Sequence, residues 1–197
     1  MGELKAHIGG KRYVITSMLP EHLVNPADGR VVSSSAILWK NLDDNLFVTS
    51  SDEGEIRAWN LSDRSLAWQA QVEDRLPWVS LDHGIFAFGE YAGGIQVVQV
   101  GSWAPLQTIA IPTAVVYSLA LRGDFLGVGQ EDGTATVWNY RTAKKILSHH
   151  AEGDPVVGVL LTSNKAVIIS ELGWINVFSL VGKGAKLEKT ILNETPP

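Results

Sequence analysis

The sequence predicts an all-β fold that is built from four similar units. A six-residue pattern of glycine, a variable residue, a β-former, a polar residue, a small apolar residue and a large apolar residue occurs four times, and consecutive glycines lie 39, 40 and 40 residues apart. The 197-residue chain also contains 19 glycines and many short apolar runs bounded by turn-forming residues, which is typical of short strands. No segment favours a long helix.

Each copy of the pattern marks one hairpin. The four copies are Gly54–Trp59, Gly93–Val98, Gly133–Trp138 and Gly173–Phe178. An apolar run and a polar turn precede every glycine, so the glycine is expected in the turn between two antiparallel strands.

Two further apolar runs extend each hairpin to four strands. One set precedes the hairpins at 36–39, 78–81, 115–121 and 156–161, and the other follows them at 66–70, 106–111, 144–147 and 187–192. The connections are too short for crossover helices, so sequential strands should pair as an antiparallel meander. Because many positions are apolar on both faces, the sheets should stack radially. The sequence therefore predicts a β-propeller with four four-stranded antiparallel blades.

The third and first units carry a resemblance to the WD-repeat family. Gln130–Asn139 resembles the family's Asp-Gly turn and Trp-Asp ending, and Ser51–Asn60 is nearly as similar, although both end in Trp-Asn. The second and fourth units have Val98 and Phe178 in place of the Trp. His149–Val156 resembles the Gly-His element that enters the next blade, without the Gly.

The resemblance implies structural roles for a few residues. In WD-repeat blades a His, a Ser or Thr, an Asp and the Trp form a hydrogen-bonded set that stiffens the hairpin. The matching residues are Asp132 and Trp138 in the third unit, and Trp59 with Asp52 or Glu53 in the first. The resemblance also implies binding of other proteins rather than catalysis.

The predicted organisation leaves the closure of the ring open. Four blades occupy 36–192, at about 36–71, 77–111, 115–147 and 156–192, before a tail at 193–197. The segment 1–35 holds β-like stretches at 11–18 and 30–35 and is a partial blade or a set of closing strands. The chain is a self-closed ring of four or five blades, an arc completed by another copy or partner, or a fragment of a longer protein; we favour the completed arc.

Composition excludes several partners. The net charge of −5 gives no reason to expect nucleic acid as the main partner, and the absence of cysteine removes disulfides and thiolate chemistry. No apolar stretch is long enough for membrane insertion, and the N-terminus lacks the apolar core of a secretory signal. A cytoplasmic or nuclear location is expected.

No catalytic, cofactor-binding or metal site is predicted. Four acidic pairs fall in predicted turns without a recurring His or Arg, namely 43–44, 52–53, 73–74 and 131–132. His149 and His150 are adjacent on an extended segment and should point to opposite sides, so they do not share a metal ion easily. Gly93–Gly94 and Val181–Ala185 lack the residues of a phosphate-binding loop.

Large side chains in the rim loops are the candidates for protein binding. One rim is predicted to carry Arg75, Trp78, Tyr91, His149 and Trp174, and the opposite rim Trp103. Packing within the blades is the alternative role for each. The preferred hypothesis is a non-catalytic adaptor; the alternatives are a propeller enzyme acting on carbohydrate or a similar small substrate, and the substrate-receptor part of a ubiquitin ligase.

Overall fold

The computed structural model describes most of the chain from residue 46 onward and five strands before it. The described residues are 3–8, 11–16, 23–24, 31–33, 37–42, 46–51, 54–63, 65–72, 78–89, 94–102, 104–111, 115–151, 153–181 and 184–192. Nearly all of them lie in strands or in the turns that join strands.

Two hairpins precede four larger sheets. The hairpins pair β1 (Glu3–Ile8) with β2 (Lys11–Thr16), and β3 (Leu23–Val24) with β4 (Val31–Ser33). The sequence predicted strands at 11–18 and 30–35, and β2 and β4 lie within these ranges; β1 and β3 are additional strands. Strands β1 and β3 run through stretches without a repeat pattern, so no pattern in the sequence predicts them.

The four sheets are the four predicted blades. Blade 1 contains β5 (Ile37–Leu42), β6 (Leu46–Ser51), β7 (Glu55–Asn60) and β8 (Leu66–Gln71). Blade 2 contains β9 (Val79–Asp82), β10 (Ile85–Gly89), β11 (Gly94–Gln99) and β12 (Pro105–Ala110). Blade 3 contains β13 (Val116–Arg122), β14 (Phe125–Gln130), β15 (Thr134–Asn139) and β16 (Lys144–His150), with a 3-10 turn at Tyr140–Thr142. Blade 4 contains β17 (Val156–Leu161), β18 (Lys165–Ser170), β19 (Trp174–Val181) and β20 (Gly184–Leu192).

Each blade is an antiparallel meander in which every strand pairs with its neighbour in sequence. The repeat glycines Gly54, Gly133 and Gly173 have φ angles of 81°, 84° and 94°. An L side chain rarely adopts this backbone conformation, so the fixed glycine of the pattern is explained by the turn that it makes. The predicted fold class, an all-β propeller with four four-stranded blades, is confirmed.

A β-bulge occurs at the same place in all four blades. The register between the third and fourth strands shifts at Ala58/Trp59, Val97/Val98, Val137/Trp138 and Val177/Phe178. A bulge increases strand twist. The extra residue of each bulge lies in the fourth strand, opposite the last two residues of the six-residue pattern, so each blade twists its outer strand there.

The hydrophobic core lies between blades. One cluster joins Val48, Ile56 and Ala58 of blade 1 to blade 2, a second joins blades 2 and 3, and a third joins Ala135 and Val137 of blade 3 to blade 4. Radial stacking of sheets that are apolar on both faces is the arrangement that the sequence predicted. Among the described residues, no helix has the length and apolar character needed to cross a membrane.

Candidate protein-binding surfaces

Each blade has a leading face, which we define as the face turned toward the next blade in chain order, and an opposite trailing face. Strand alternation sends every second side chain to one face. The apolar leading-face residues at the centre of the second and third strands have 0% exposure in blades 1 to 3, namely Val48, Ile56, Ala58, Ala87, Ile95, Val97, Ala135 and Val137. The centres of these three faces are therefore covered by the blades that follow them.

The approach of blade 4 to blade 3 depends on two glycines. A Cβ atom added at Gly127 would lie 2.6 Å from Val159 Cγ1, and one added at Gly129 would lie 2.6 Å from Val156 Cγ1 and 2.8 Å from its carbonyl oxygen. Any side chain at these two positions would push the blades apart. The leading face of blade 3 is shaped to fit strand β17.

Hydrogen bonds also join adjacent blades. Ser80 Oγ accepts a bond from the backbone N–H of Leu121 at 2.8 Å, and Ser118 Oγ accepts one from the backbone N–H of Val159 at 2.9 Å. Both serines are buried. Each bond satisfies a backbone amide in the first strand of the next blade, so it fixes the position of one blade relative to the other.

Asp82 makes a third link between blades 2 and 3. Its carboxylate accepts bonds from the backbone N–H of Gly123 at 2.6 Å and from Arg122 Nη1 at 3.1 Å, and it lies 2.9 Å from His83 Nδ1. Burial raises the pKa of Asp82, but the bonds from Gly123 and His83 and the positive charge of Arg122 outweigh it, so the pKa is lowered. The carboxylate is a structural anion, held ionised by its partners.

The leading face of blade 4 is different because it is not covered. The positions 40 residues after Gly127, Gly129, Ala135 and Val137 are Val167, Ile169, Ile175 and Val177, and all four are partly exposed. In the first strand of the blade, buried Val159 packs on blade 3, whereas its neighbour Leu160 is 58% exposed. Of the nine exposed large hydrophobic residues in the described part of the chain, six lie in blade 4.

The outer end of this face is charged. In blade 3, Phe125 and the bulge residue Ile146 pack against the cluster shared with blade 4. The corresponding residues of blade 4 are Lys165 and the bulge residue Glu188, which form an exposed ion pair of 2.7 Å. An apolar centre beside charged groups is the usual arrangement of a protein-protein interface.

The hairpin between β18 and β19 presents two large apolar side chains on the rim, one in its turn and one at the start of β19. Leu172 is 77% exposed and Trp174 is 41% exposed. Buried Asp154 accepts a hydrogen bond from the Leu172 N–H at 3.0 Å, and Ser170 Oγ accepts one from the Trp174 N–H at 3.0 Å. The turn is held in place by these bonds, so the apolar tip is rigid.

His149 lies in strand β16 and not in a rim loop, which corrects the predicted location. Its ring is 5.3 Å from the Phe178 ring, and its Nε2 lies 3.2 Å from Asn176 Nδ2. Thr190 Oγ1 donates to Asn176 Oδ1 at 2.7 Å, which orients the amide so that its NH₂ group points at the imidazole. Burial and the neighbouring His150 lower the pKa of His149. The side chain therefore bridges blades 3 and 4 as a neutral acceptor.

His150 points to the other side, where its Nδ1 lies 3.2 Å from Thr134 Oγ1. Within the described residues, no group of three or more His, Asp or Glu side chains is placed to hold a metal ion.

Of the other predicted residues, four lie within the blades and five lie outside the described residues. Trp78 is half-buried against the cluster between blades 2 and 3. Asp132 Oδ1 accepts a bond from the Thr134 N–H at 2.8 Å, and Trp138 Nε1 donates to Thr136 Oγ1 at 2.9 Å, so both stiffen the third hairpin. In blade 1, Trp59 Nε1 is buried without a hydrogen-bond partner among the described residues. Arg75, Tyr91, Trp103, Asp52 and Glu53 lie outside the described residues.

Sequence reasoning named Trp174 but missed Leu172 and the residues of the leading face of blade 4. Comparison of equivalent positions contains the signal: Leu160 aligns with Ser80 and Ala120, and Leu172 aligns with Asp132. Large apolar residues stand in the last blade where earlier blades have small or polar ones. That contrast becomes informative only when the register of each strand is known.

The comparisons with known proteins identify the fold. No family model and no curated protein match the sequence. Among solved structures, the chain is similar to the computationally designed protein Ika8, with a TM-score of 0.68, 18% identity, and coverage of 87% of this chain and 51% of that chain. It is also similar to the designed protein Ika4, with a TM-score of 0.66, 20% identity, and coverage of 75% of this chain and 93% of that chain.

A third similar structure is the β-propeller domain of Cps50 (Swd1) from Myceliophteria thermophila, with a TM-score of 0.65 and 13% identity, covering 87% of this chain and 66% of that domain. The class of protein is thus a β-propeller. The chain spans about half the length of Ika8 and two thirds of the Cps50 domain. The finer assignment to the WD-repeat family stays a prediction from the quoted motifs.

Proposed function

We propose that this protein is a non-catalytic protein-protein interaction scaffold whose arc of blades is completed by another chain. The observation that carries the proposal is the leading face of blade 4. Positions that are fully buried in blades 1 to 3 are partly exposed there, and Leu160 is 58% exposed. Large exposed apolar patches mark interaction sites on soluble proteins.

The distribution of charge on this face supports reversible protein binding. Its centre is apolar, with Val167, Ile175 and Val177, and its outer end carries the Lys165–Glu188 ion pair. A polar rim keeps such a face soluble when it is free and lets the apolar centre supply the binding energy. A scaffold that exchanges partners needs both properties.

The rim turn of blade 4 is a second contact area for the same role. Leu172 and Trp174 are exposed, and Asp154 and Ser170 hold their backbone in one conformation. A rigid anchor loses little entropy when it binds. The turn can therefore recognise a protein partner while blade 4 is covered on its leading face.

A capture experiment with matched variants tests the proposal. The full chain, tagged at one end, is compared with Leu160→Lys and with Leu106→Lys, a control that changes a 39% exposed leucine in blade 2. We expect Leu160→Lys to reduce stable protein association at least about tenfold, which is a loss of about 1.4 kcal/mol, and the control to leave it unchanged. Equal association of all three proteins would contradict a role for this face.

A further inference from the structure

We infer that the leading face of blade 4 binds an amphipathic α-helix of another protein. The apolar side of the helix would lie on the centre of the face, with acidic residues of the helix beside Lys186 and Lys189. This inference rests on the proposed function and names the chemistry of the partner. Three features of the face point to such a helix: it has no room for a further blade, its apolar residues form two rows, and its border is basic.

The inner part of the face has no room for a further blade. One position of the second strand is small in each blade that is followed by another, and in blade 4 it is Ile169; the small residues are Ser50, Gly89 and Gly129. At Gly129 a single added Cβ would already lie 2.6 Å from a side-chain atom of blade 4. A Cβ atom added at Gly158 would lie 3.3 Å from Cβ and Cδ1 of Ile169, so the isoleucine fills this space itself. A blade stacked as blade 4 stacks on blade 3 would collide with Ile169.

The face also lacks the hydrogen-bond acceptors that join successive blades. Ser80 Oγ and Ser118 Oγ each accept a bond from a backbone N–H of the following blade. The strand register places Leu160 at the position of Ser80, and Gly158 at the position of Ser118. Neither residue has a side-chain acceptor. An α-helix forms its backbone hydrogen bonds within itself, so it can cover a face that offers no acceptors.

The apolar residues of the face form two rows across the strands, and all of them are partly or largely exposed. Strand pairing places Ile175 between Ile169 and Ile191 in one row, and Val167 between Leu160 and Val177 in the other. Residues two apart on a strand lie about 7 Å apart, so one helix with a diameter of about 10 Å covers both rows. A second sheet would also bury the charged residues that border the rows, whereas a single helix leaves them at its edge.

The charged residues that border the apolar rows are mostly basic. Strand pairing with the leading-face residues of β19 places Lys186 and Lys189 on this side of β20. Both lysines are exposed and form no ion pair among the described residues, whereas Glu188 is already paired with Lys165. Three lysines and one glutamate give this border a net charge of +2, although the whole chain has a net charge of −5. Acidic residues of a partner complement this border, whereas a second copy would bring the same two lysines to the contact.

Fluorescence anisotropy with two labelled model peptides tests the inference on the full chain. Each peptide has about 18 residues, or five helical turns, with leucine along one side; one peptide carries glutamate along the flanking edge and the other carries lysine. We expect the glutamate peptide to bind the wild type at least about tenfold more tightly, because only its charge complements Lys186 and Lys189. Equal affinities of the two peptides, or no binding of the glutamate peptide, would overturn the inference.

Charge reversal separates recognition from folding. Lys189→Glu changes an exposed residue, so we expect an unchanged melting temperature and an affinity for the glutamate peptide about fivefold lower. Lys144→Glu reverses the charge of an exposed lysine in blade 3 and should leave both affinities unchanged. If Lys189→Glu binds the glutamate peptide as tightly as the wild type does, the partner is not recognised by its acidic residues.

Loss of an apolar contact locates the peptide on the face. Leu160→Lys should weaken the binding of the glutamate peptide at least about tenfold, and Leu106→Lys should leave it unchanged. Binding that survives Leu160→Lys takes place elsewhere on the molecule and overturns the inference.

Two other occupants of the face would give different results. Vesicles that contain phosphatidylserine and bind the wild type but not Leu160→Lys, without binding of the glutamate peptide, would show that the face meets a membrane surface. A dimer in light scattering that becomes a monomer in Leu160→Lys would show that a second copy covers the face. Either result overturns the helical partner.

The capture experiment separates this inference from the proposed function. If Leu160→Lys loses protein capture while the wild type does not distinguish the two peptides, a different kind of protein covers the face and the scaffold function stands. If Leu160→Lys captures protein as the wild type does, the face is not the binding site and both proposals are wrong.

Discussion

Blades 3 and 4 have the same strand order, the same bulge position and repeat glycines 40 residues apart, yet their leading faces are in opposite environments. The face of blade 3 is buried and contains Gly127 and Gly129, which let β17 approach closely. The face of blade 4 is partly exposed and has Val167 and Ile169 at these positions. The difference shows that a neighbouring blade, rather than the blade's own sequence pattern, decides whether a face becomes core.

The two faces also differ at their outer ends. Phe125 and Ile146 of blade 3 contribute to a hydrophobic cluster, whereas Lys165 and Glu188 of blade 4 form an exposed ion pair. In repeat proteins the terminal units have a more polar outer face, which keeps them soluble. Blade 4 has such a face at its outer end only, because its centre and inner end remain apolar.

The largest effect on the free energy of unfolding is expected when the leading faces of blades 3 and 4 are given the same residue at one equivalent position. Gly129→Val places a side chain where a Cβ alone would lie 2.6 Å from Val156 Cγ1, and it should lower the free energy of unfolding by about 3 kcal/mol. Ile169→Val creates valine at the equivalent position of blade 4, which no further blade covers among the described residues, and should lower the free energy of unfolding by about 0.5 kcal/mol. Urea unfolding measures both values. Equal losses would mean that the faces are packed alike.

A smaller effect is expected from removing one hydrogen bond between blades. Ser118→Ala leaves the buried N–H of Val159 without its acceptor and should lower the free energy of unfolding by about 1 to 2 kcal/mol. Ser148→Ala, at an exposed position of β16, is the control and should change stability by less than about 0.5 kcal/mol. If the two alanine variants unfold at the same urea concentration, the bond does not contribute to blade stacking.

The contact of His149 with blade 4 should make stability depend on pH. The folded state lowers the pKa of His149 below its ordinary 6.5, so the unfolded chain binds the proton more readily. Stability from this contact is therefore complete above pH 6.5 and is lost as the pH falls toward the folded-state pKa. His149→Gln should remove this part of the pH dependence, an effect of about 1 kcal/mol or less, when melting temperatures are compared across pH 5 to 8. An unchanged profile would contradict the prediction.

The smallest effect on stability, combined with a large effect on binding, is expected at the rim turn. Leu172→Asp introduces the residue that blade 3 has at this position, Asp132, and should change the free energy of unfolding by less than about 0.5 kcal/mol. Leu172→Asp and Trp174→Ala should each weaken capture of the protein partner. If a variant loses both thermal stability and partner capture, the turn has a structural role instead. Alanine at Arg75 and Tyr91 is expected to behave like Trp174→Ala.

Much of the fold follows from the sequence because the repeat is explicit. Gly133 needs a positive φ, and the alternation around Val137 sets which residues are buried. The bulge at Ile146, opposite Val137 and Trp138, could not be predicted, because an extra residue in a strand leaves no signal in a pattern read only by period. The predicted location of His149 in a rim loop is wrong for a related reason: β16 continues to His150, beyond the apolar run at 144–147 that predicts the strand, and its end is polar.

The candidate surfaces depend on contacts that lie 40 residues apart in the chain. Leu160 and Ala120 occupy equivalent places in similar strands, and no local feature of the sequence shows that one is exposed and the other is packed. The sequence by itself determined the number of blades, their strand order and their turns, because these follow from local spacing and backbone conformation. Only the tertiary structure decided which faces are covered, because burial is a property of two sheets in contact and blade 4 meets no further blade among the described residues.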